Sequence, residues 1–351
     1  MIRIAINGFG RIGRTTFKAI VERGLDKELD IVAVNDLTDS ATLAHLLKYD
    51  TVFGRFIGKV AAQGSALVVN GKKIQVLAEK DPTKLPWKKL KIDVVLECTG
   101  RYTKDGAARA HITAGAKRVI VSAPTSSSGG STAGGKGGDI KTFVLGVNDA
   151  DYKGEDVINN ASCTTNCVSP VTRVIQEAFG IERATLTTIH AVTAEQNLVD
   201  GPPPGLKSGD LRRARAAYAN MVPTTTGAAV AATETIPALK GKFDGLAVRV
   251  PVMDVSLSDF VFVVKKPVTV GKVNAAFRKA VGDRKYRGVI GVTDEPLVSS
   301  DFVKSAYSAV VDLSLTKVID GTLVKVIAWY DNEWGYSCRL AEMAIEVGKR
   351  I

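Results

Sequence analysis

The chain has 351 residues, 45% of them hydrophobic and 24% charged, a composition that excludes a disordered or collagen-like protein and, at this length, implies two domains. Its 47 basic and 36 acidic residues leave a net charge of +11, which suits nucleic acid, an anionic membrane surface or small phosphorylated ligands. The basic residues are dispersed, with short runs only at KKLK (88–91) and RRAR (212–215) and no interleaved aromatics, so most of them read as solvated surface.

Met1 leads directly into a strand-like stretch, IRIAI, with neither an apolar signal core nor a cleavage site, which predicts an intracellular, cytoplasmic protein. No apolar run approaches the ~20 residues of a membrane span. NGFGRIG then places Gly8, Gly10 and Gly13 in GxGxxG spacing between that strand and the helical pattern RTTFKAIVERG. Such a turn lets backbone approach a pyrophosphate, with the helix N-terminus offering its free N–H groups. Asp36 closes the second strand about 20 residues further on, where a carboxylate binds the adenosine ribose. A carboxylate there repels a 2′-phosphate, and Leu37 beside it offers no cation, so NAD is favoured over NADP.

Short β-branched runs continue to alternate with helical patterns (DIVAVND, SATLAHLLKYD, DVVLECTG, GAARAHITAGA, KRVIVSAP, TFVLGV), predicting a parallel sheet covered on both faces. Asn70-Gly71 between two alternating runs predicts an antiparallel hairpin added to it. The Gly- and Ser-rich stretch 125–139 reads as a mobile surface loop.

SCTTNC (162–167) follows a strand end and opens an apolar-periodic helix, with Ser162 and Thr164 as capping groups. Cys163 at a helix N-terminus would have a stabilised thiolate, and an imidazole in reach would lower its pKa further as an ion pair. Zinc is disfavoured because the four cysteines (98, 163, 167, 338) form no paired clusters, and no metal is expected. They are equally too scattered for a disulfide framework. Plain burial suits Cys98, Cys167 and Cys338. Of three histidines, His45 and His111 lie in helical settings that suggest structural roles. His190, late in the strand after the cysteine helix, can return to the thiol as a base, with a satisfied core histidine as the alternative.

Beyond residue 180 longer strand candidates dominate, predicting an α+β second domain with a largely antiparallel sheet and a boundary near the cysteine motif. DGPPPGLKSGD (200–210) forbids regular structure. Thr193, RRAR, PTTTGAA (223–229) and Arg249 are anion-binding candidates, since arginine forks and hydroxyl-rich turns before helices suit phosphate oxygens.

Together NGFGRIGR, ASCTTNC, HAVTAEQ, PTTTGAA, RVPV and WYDNEWGYS resemble, in order and over essentially the whole chain, the phosphorylating glyceraldehyde-3-phosphate dehydrogenases. The resemblance implies a Rossmann-type NAD-binding domain at 1–162 completed by a C-terminal helix at 331–351, a catalytic domain at 163–330, and a homotetramer. It implies that Cys163 attacks glyceraldehyde 3-phosphate, that His190 is the base, and that inorganic phosphate releases the product from a thioester. It assigns Thr193 and Arg249 to the substrate phosphate, and Ser162, Thr164, Arg213, Thr226 and Gly227 to the attacking phosphate. Arg11, Ile12, Thr99 and Ser122 join the glycines and Asp36 at the cofactor, and Asn332 takes the nicotinamide amide. Two loops, 125–139 and 200–210, are longer than the family's usual segments. The rivals are an erythrose-4-phosphate dehydrogenase, which hydrolyses its acyl-enzyme, and a nucleic-acid or surface-binding role, held to be at most secondary.

Overall fold

The structure, a computed structural model, describes residues 1–104, 106–125, 140–202 and 210–351. The mobile-loop reading of 125–139 falls outside the described residues except at Thr125, and so does most of 200–210. The chain forms two compact units. One comprises Met1–Phe143, Asp151–Ala161 and Ser337–Ile351; the other comprises Val144–Ala150 and Ser162–Tyr336.

The first unit runs β1 (Ile2–Asn7), α1 (Arg11–Glu22), β2 (Leu29–Asn35), α2 (Ser40–Lys48), β3 (Val60–Ala62), β4 (Ala66–Val69), β5 (Lys72–Leu77), α3 (Trp87–Leu90), β6 (Val94–Glu97), α4 (Ala110–Thr113), β7 (Arg118–Val121), β8 (Lys141–Thr142) and β9 (Val157–Asn159). Its sheet has the order β3-β4-β5-β2-β1-β6-β7-β9-β8. Strands β5, β2, β1, β6, β7 and β9 run parallel to one another and reproduce the 3-2-1-4-5-6 order of a Rossmann fold. The central β6, Val94–Glu97, is buried at every position, as a parallel strand covered on both faces requires. Asn70 (φ 51) and Gly71 (φ 83) make the tight turn between antiparallel β4 and β5, a pair of left-handed residues suited to a two-residue hairpin. The strand order reverses between β1 and β6, and ligands of such sheets bind beyond the carboxyl ends of the strands at that point.

The second unit continues with α5 (Cys163–Phe179), β10 (Ile181–His190), β11 (Val222–Thr225), α6 (Ala228–Thr235), β12 (Phe243–Arg249), β13 (Ser256–Val264), α7 (Val270–Gly282), β14 (Ile290–Thr293), β15 (Ala309–Ile319) and β16 (Leu323–Tyr330), before α8 (Trp334–Gly348) opens. Its sheet, ordered β11-β12-β10-β13-β16-β15-β14, is mostly antiparallel. Parallel pairings occur at β10/β12 and β14/β15. In β13 every second residue is buried, Ser256 to Val264, the period-2 pattern of a sheet with one packed face. Helix α5 buries Val168, Val171, Val174 and Ile175 at helical spacing, each contributing roughly 1.5–3 kcal/mol of apolar burial. That packing fixes the axis of the helix, and so the position of its first residue.

Candidate active site

At the end of β1, Gly8 adopts φ +89, and a Cβ there would stand 2.8 Å from the backbone N of Thr99; only glycine lets the turn pass the end of β6. A Cβ at Gly13 would meet the Gly8 carbonyl at 2.1 Å, so helix α1 packs directly on the turn, whereas a Cβ at Gly10 would meet nothing within 4 Å. The open position is the one a pyrophosphate needs. Helix α1 begins at Arg11, with Ile12 in its first turn and no side-chain cap on its free N–H groups. Asp36 accepts the Phe9 N–H at 2.8 Å and the Thr38 N–H at 3.0 Å, which ties the acid to the glycine turn. A pocket of ≈ 280 Å³ is lined by Gly8, Gly10, Asp36, Leu37, Thr99 and Arg101 among others. These features fit NAD. Arg11 is held by Asp50 at 2.9 Å, and the Ser122 N–H donates to the Glu97 carbonyl at 2.9 Å.

Glu97 is a residue the sequence reading missed. Its fully buried carboxylate accepts the Thr99 N–H at 2.8 Å and the Thr99 hydroxyl, and meets Asn7 Nδ2 and His111 Nε2. It therefore shapes the turn that holds Thr99. His111 Nδ1 accepts the Trp87 indole N–H at 3.0 Å, so this imidazole is a satisfied core group. His45 lies against Tyr49, ring centroids 5.0 Å apart.

Cys163 is the first residue of α5. Ser162 caps the helix, its Oγ accepting the Thr165 N–H at 3.0 Å, and Ala161 before it holds φ 56. This left-handed turn in a non-glycine residue is a costly geometry that persists where surrounding structure enforces it. Thr164 Oγ1 stands 3.9 Å from Cys163 Sγ and 2.9 Å from the Tyr330 hydroxyl, which also meets Thr188 Oγ1 at 2.8 Å. Cys167, one turn on, is fully buried, and burial pushes its thiol well up.

His190 ends β10, and its Nε2 lies 3.5 Å from Cys163 Sγ. Parallel register sets His190 beside Arg249 at the end of β12. His190 Nδ1 lies 2.7 Å from the Ala191 carbonyl oxygen and 2.8 Å from Arg249 Nη1. Arg249 Nη1 reaches the same carbonyl at 3.1 Å.

The ion pair expected from the sequence is not what the electrostatics favour. Burial pushes the Cys163 thiol above its ordinary value, with the Arg249 cation pulling the other way. Burial first, and then Arg249, draw His190 down to about 3. Both shifts run toward the uncharged forms, because burial penalises either charge and Arg249 repels an imidazolium.

Two polar atoms close to His190 in chain or register lack partners among the described residues. Thr193 Oγ1 and Arg249 Nε are buried and make no hydrogen bond among the described residues, an arrangement that an anion would satisfy. Arg213 donates from Nε to Thr224 Oγ1 and from Nη1 to Glu195, both at 2.9 Å. Glu195 also approaches Arg249 Nη2 at 3.5 Å; this bridging carboxylate was not singled out from the sequence. Thr226 Oγ1 accepts the Ala228 N–H at 3.2 Å at the start of α6, where Gly227 is the exposed cap. Asn332 is buried, and its Oδ1 accepts a hydrogen bond from Ser256 Oγ at 2.7 Å. Among the described residues no group of three or more His, Cys, Asp or Glu side chains is placed to hold a metal ion.

A Rossmann unit, joined in one chain to a thiol at a helix N-terminus with an imidazole base and partnerless anion donors, defines a dinucleotide-dependent oxidoreductase that works through a covalent sulfur adduct. Residues 2–105 match the glyceraldehyde 3-phosphate dehydrogenase NAD binding domain, and residues 162–332 match the glyceraldehyde 3-phosphate dehydrogenase C-terminal domain. The chain is 48% identical to glyceraldehyde-3-phosphate dehydrogenase 2 of Streptomyces avermitilis, covering 100% of this chain and 99% of that one. It is also 48% identical to the glyceraldehyde-3-phosphate dehydrogenase of Geobacillus stearothermophilus, covering 99% of each. To that of Clostridium acetobutylicum it is 49% identical, covering 97% of this chain and 96% of the relative. The chain belongs to the glyceraldehyde-3-phosphate dehydrogenase family.

Proposed function

We propose that Cys163 and His190 carry the chemistry of this family in this chain. The protein is an NAD-dependent oxidoreductase that converts glyceraldehyde 3-phosphate and inorganic phosphate to 1,3-bisphosphoglycerate through a thioester. The observation that carries the residue assignment is the 3.5 Å approach of His190 Nε2 to Cys163 Sγ, beside the partnerless donors of Thr193 and Arg249.

In this reading Thr193 and Arg249 hold the substrate phosphate and so fix the aldehyde carbon over sulfur. The S–C bond forms as the thiol proton passes to His190 Nε2 and on to the carbonyl oxygen, giving a thiohemiacetal. NAD, held by Gly8, Gly10, Arg11, Ile12, Gly13, Asp36, Thr99, Ser122 and Asn332, supplies the hydride acceptor. His190, neutral again, removes the hydroxyl proton, and a thioester is left on Cys163. Ser162, Thr164, Arg213, Thr226 and Gly227 bind inorganic phosphate for attack on the acyl carbon; the C–S bond breaks and sulfur departs as thiolate.

The functional division follows 1–162 with 331–351 for the cofactor and 163–330 for catalysis. A homotetramer is supported by large apolar side chains left exposed in the second unit, among them Leu198, Val199, Met221, Leu246 and Ile319. A cytoplasmic location agrees with four free cysteines and with the finding that no described helix is long and apolar enough to cross a membrane. Nucleic-acid or surface binding is at most a secondary consequence of the net charge of +11.

The test is NADH formation by purified protein from glyceraldehyde 3-phosphate and from erythrose 4-phosphate, with and without phosphate. Phosphate-dependent turnover of the three-carbon aldehyde is expected. Phosphate-independent turnover preferring the four-carbon aldehyde would overturn the reading in favour of a hydrolytic relative.

A further inference from the structure

Asn332 lies two positions past Tyr330, the last residue of β16, and the turn that carries it is pinned through its neighbour. The Asp331 carboxylate accepts N–H groups of Trp334 at 2.6 Å, Lys304 at 2.8 Å and Glu333 at 3.0 Å. The backbone at Asn332 is therefore set, and its amide is left to be oriented by side-chain contacts.

One such contact exists. Ser256 opens β13, is 1% exposed and lies in register with Tyr330. Its Oγ accepts the Ala191 N–H at 3.1 Å and donates to Asn332 Oδ1 at 2.7 Å. The accepted bond comes from a backbone group that can only donate, so the hydroxyl hydrogen is free for Asn332. Once Oδ1 is occupied, Nδ2 has no protein acceptor among the described residues and is presented as a donor. The residue before the serine, Val255, is 3% exposed and sits at φ 68, a left-handed conformation disfavoured for a β-branched side chain and retained where a site depends on it.

We infer that Ser256 is a positioning residue for the cofactor: it locks the Asn332 amide with Nδ2 outward, so that this side chain offers a donor to a carboxamide oxygen. Through Ala191 the same hydroxyl is joined to the residue whose carbonyl orients His190. Ser256 thus ties the setting of the base to the setting of the carboxamide holder. The inference rests on the reading that Asn332 contacts the nicotinamide carboxamide.

The experiment is equilibrium titration of the full-length protein with NAD and with ADP-ribose, which lacks the nicotinamide ring. It compares the unmodified chain with Ser256→Ala, Ser256→Thr and Asn332→Ala. Asn332→Ala is expected to weaken NAD and leave ADP-ribose unchanged. Ser256→Ala should do the same by about three- to tenfold, the worth of one buried hydrogen bond, and Ser256→Thr, which keeps a hydroxyl, should recover most of it. If Asn332→Ala weakens NAD while Ser256→Ala does not, the inference is wrong and the Asn332 reading survives. If Ser256→Ala weakens both ligands alike, its role is general packing and the inference is again wrong. If Asn332→Ala leaves NAD affinity unaltered, the underlying reading fails, and the inference with it.

Discussion

Arg249 Nη1 lies 2.8 Å from His190 Nδ1 while the other ring nitrogen faces Cys163 Sγ at 3.5 Å. The guanidinium acts on both reacting groups in ways that follow from its charge. It lowers the thiol's pKa against the larger effect of burial, and it joins burial in lowering that of His190. An arginine here favours a thiolate beside an uncharged base over a protonated pair.

The first prediction concerns that arginine. Arg249→Gln removes the cation, so the thiol should ionise at higher pH and His190 should become easier to protonate. Alkylation of Cys163 by iodoacetamide, an uncharged reagent, should shift its pH midpoint to the alkaline side, while Arg249→Lys keeps the midpoint near its original place. An unmoved midpoint in Arg249→Gln would show that the guanidinium does not govern the thiol.

A second prediction follows from Glu195, which bridges Arg213 at 2.9 Å and Arg249 at 3.5 Å. A carboxylate on both arginines competes with phosphate oxygens for the same forks. Its side chain is 44% exposed, so the competition is screened and worth at most about 1 kcal/mol. Glu195→Gln should lower the KM for inorganic phosphate by up to about fivefold. A raised KM would mean that Glu195 holds the arginines in place instead of opposing their ligands.

The third concerns Asp36, which lines the pocket beside the glycine turn, accepts the Phe9 N–H and is proposed to bind the adenosine ribose. Asp36→Asn preserves an acceptor for that N–H but removes the charge. NAD affinity should fall roughly tenfold, as expected for loss of a charged hydrogen bond of about 1.5 kcal/mol, and discrimination against NADP should relax. Equal loss for both cofactors would place the ribose contact elsewhere.

A fourth prediction is one of stability. Asp254 is 4% exposed, neither oxygen makes a hydrogen bond among the described residues, and burial with the neighbouring Asp331 charge holds it protonated well above the carboxylate range. An unfolded chain releases that proton from about pH 4 upward, while the folded chain keeps it, so stability falls as pH rises between those limits. Asp254→Asn escapes the penalty. At pH 7.5 it should raise the unfolding free energy by a few kcal/mol, roughly 1.4 kcal/mol for each pH unit over which only the folded chain holds the proton, and the gain should vanish near pH 4. A gain independent of pH would rule out titration as its cause.

Much of this site is written in local sequence. The glycine turn, Asp36 and the helix-opening Cys163 each depend on residues close in the chain, where turn and capping chemistry is legible. Parallel strands and the Asn70-Gly71 hairpin follow from periodicity for the same reason. What escaped are relations set by register between distant segments. His190 meets Arg249 because β10 and β12 run parallel in a particular register, and Ser256 meets Asn332 across 76 positions of sequence. Glu195 and Glu97 looked like ordinary acids until their partners were placed around them. The thiol–imidazole pair is set in a depth of burial that no motif shows, and that burial pushes each group toward its uncharged form.

The central claim is that an acyl group rests on Cys163 and waits for phosphate. Mass spectrometry of the protein mixed with glyceraldehyde 3-phosphate and NAD, with phosphate excluded, tests it most directly. The account predicts an acyl adduct confined to the Cys163 peptide, absent in Cys163→Ser, that discharges on adding inorganic phosphate with formation of 1,3-bisphosphoglycerate. An adduct on another residue, or one that leaves as fast in water alone, would contradict it.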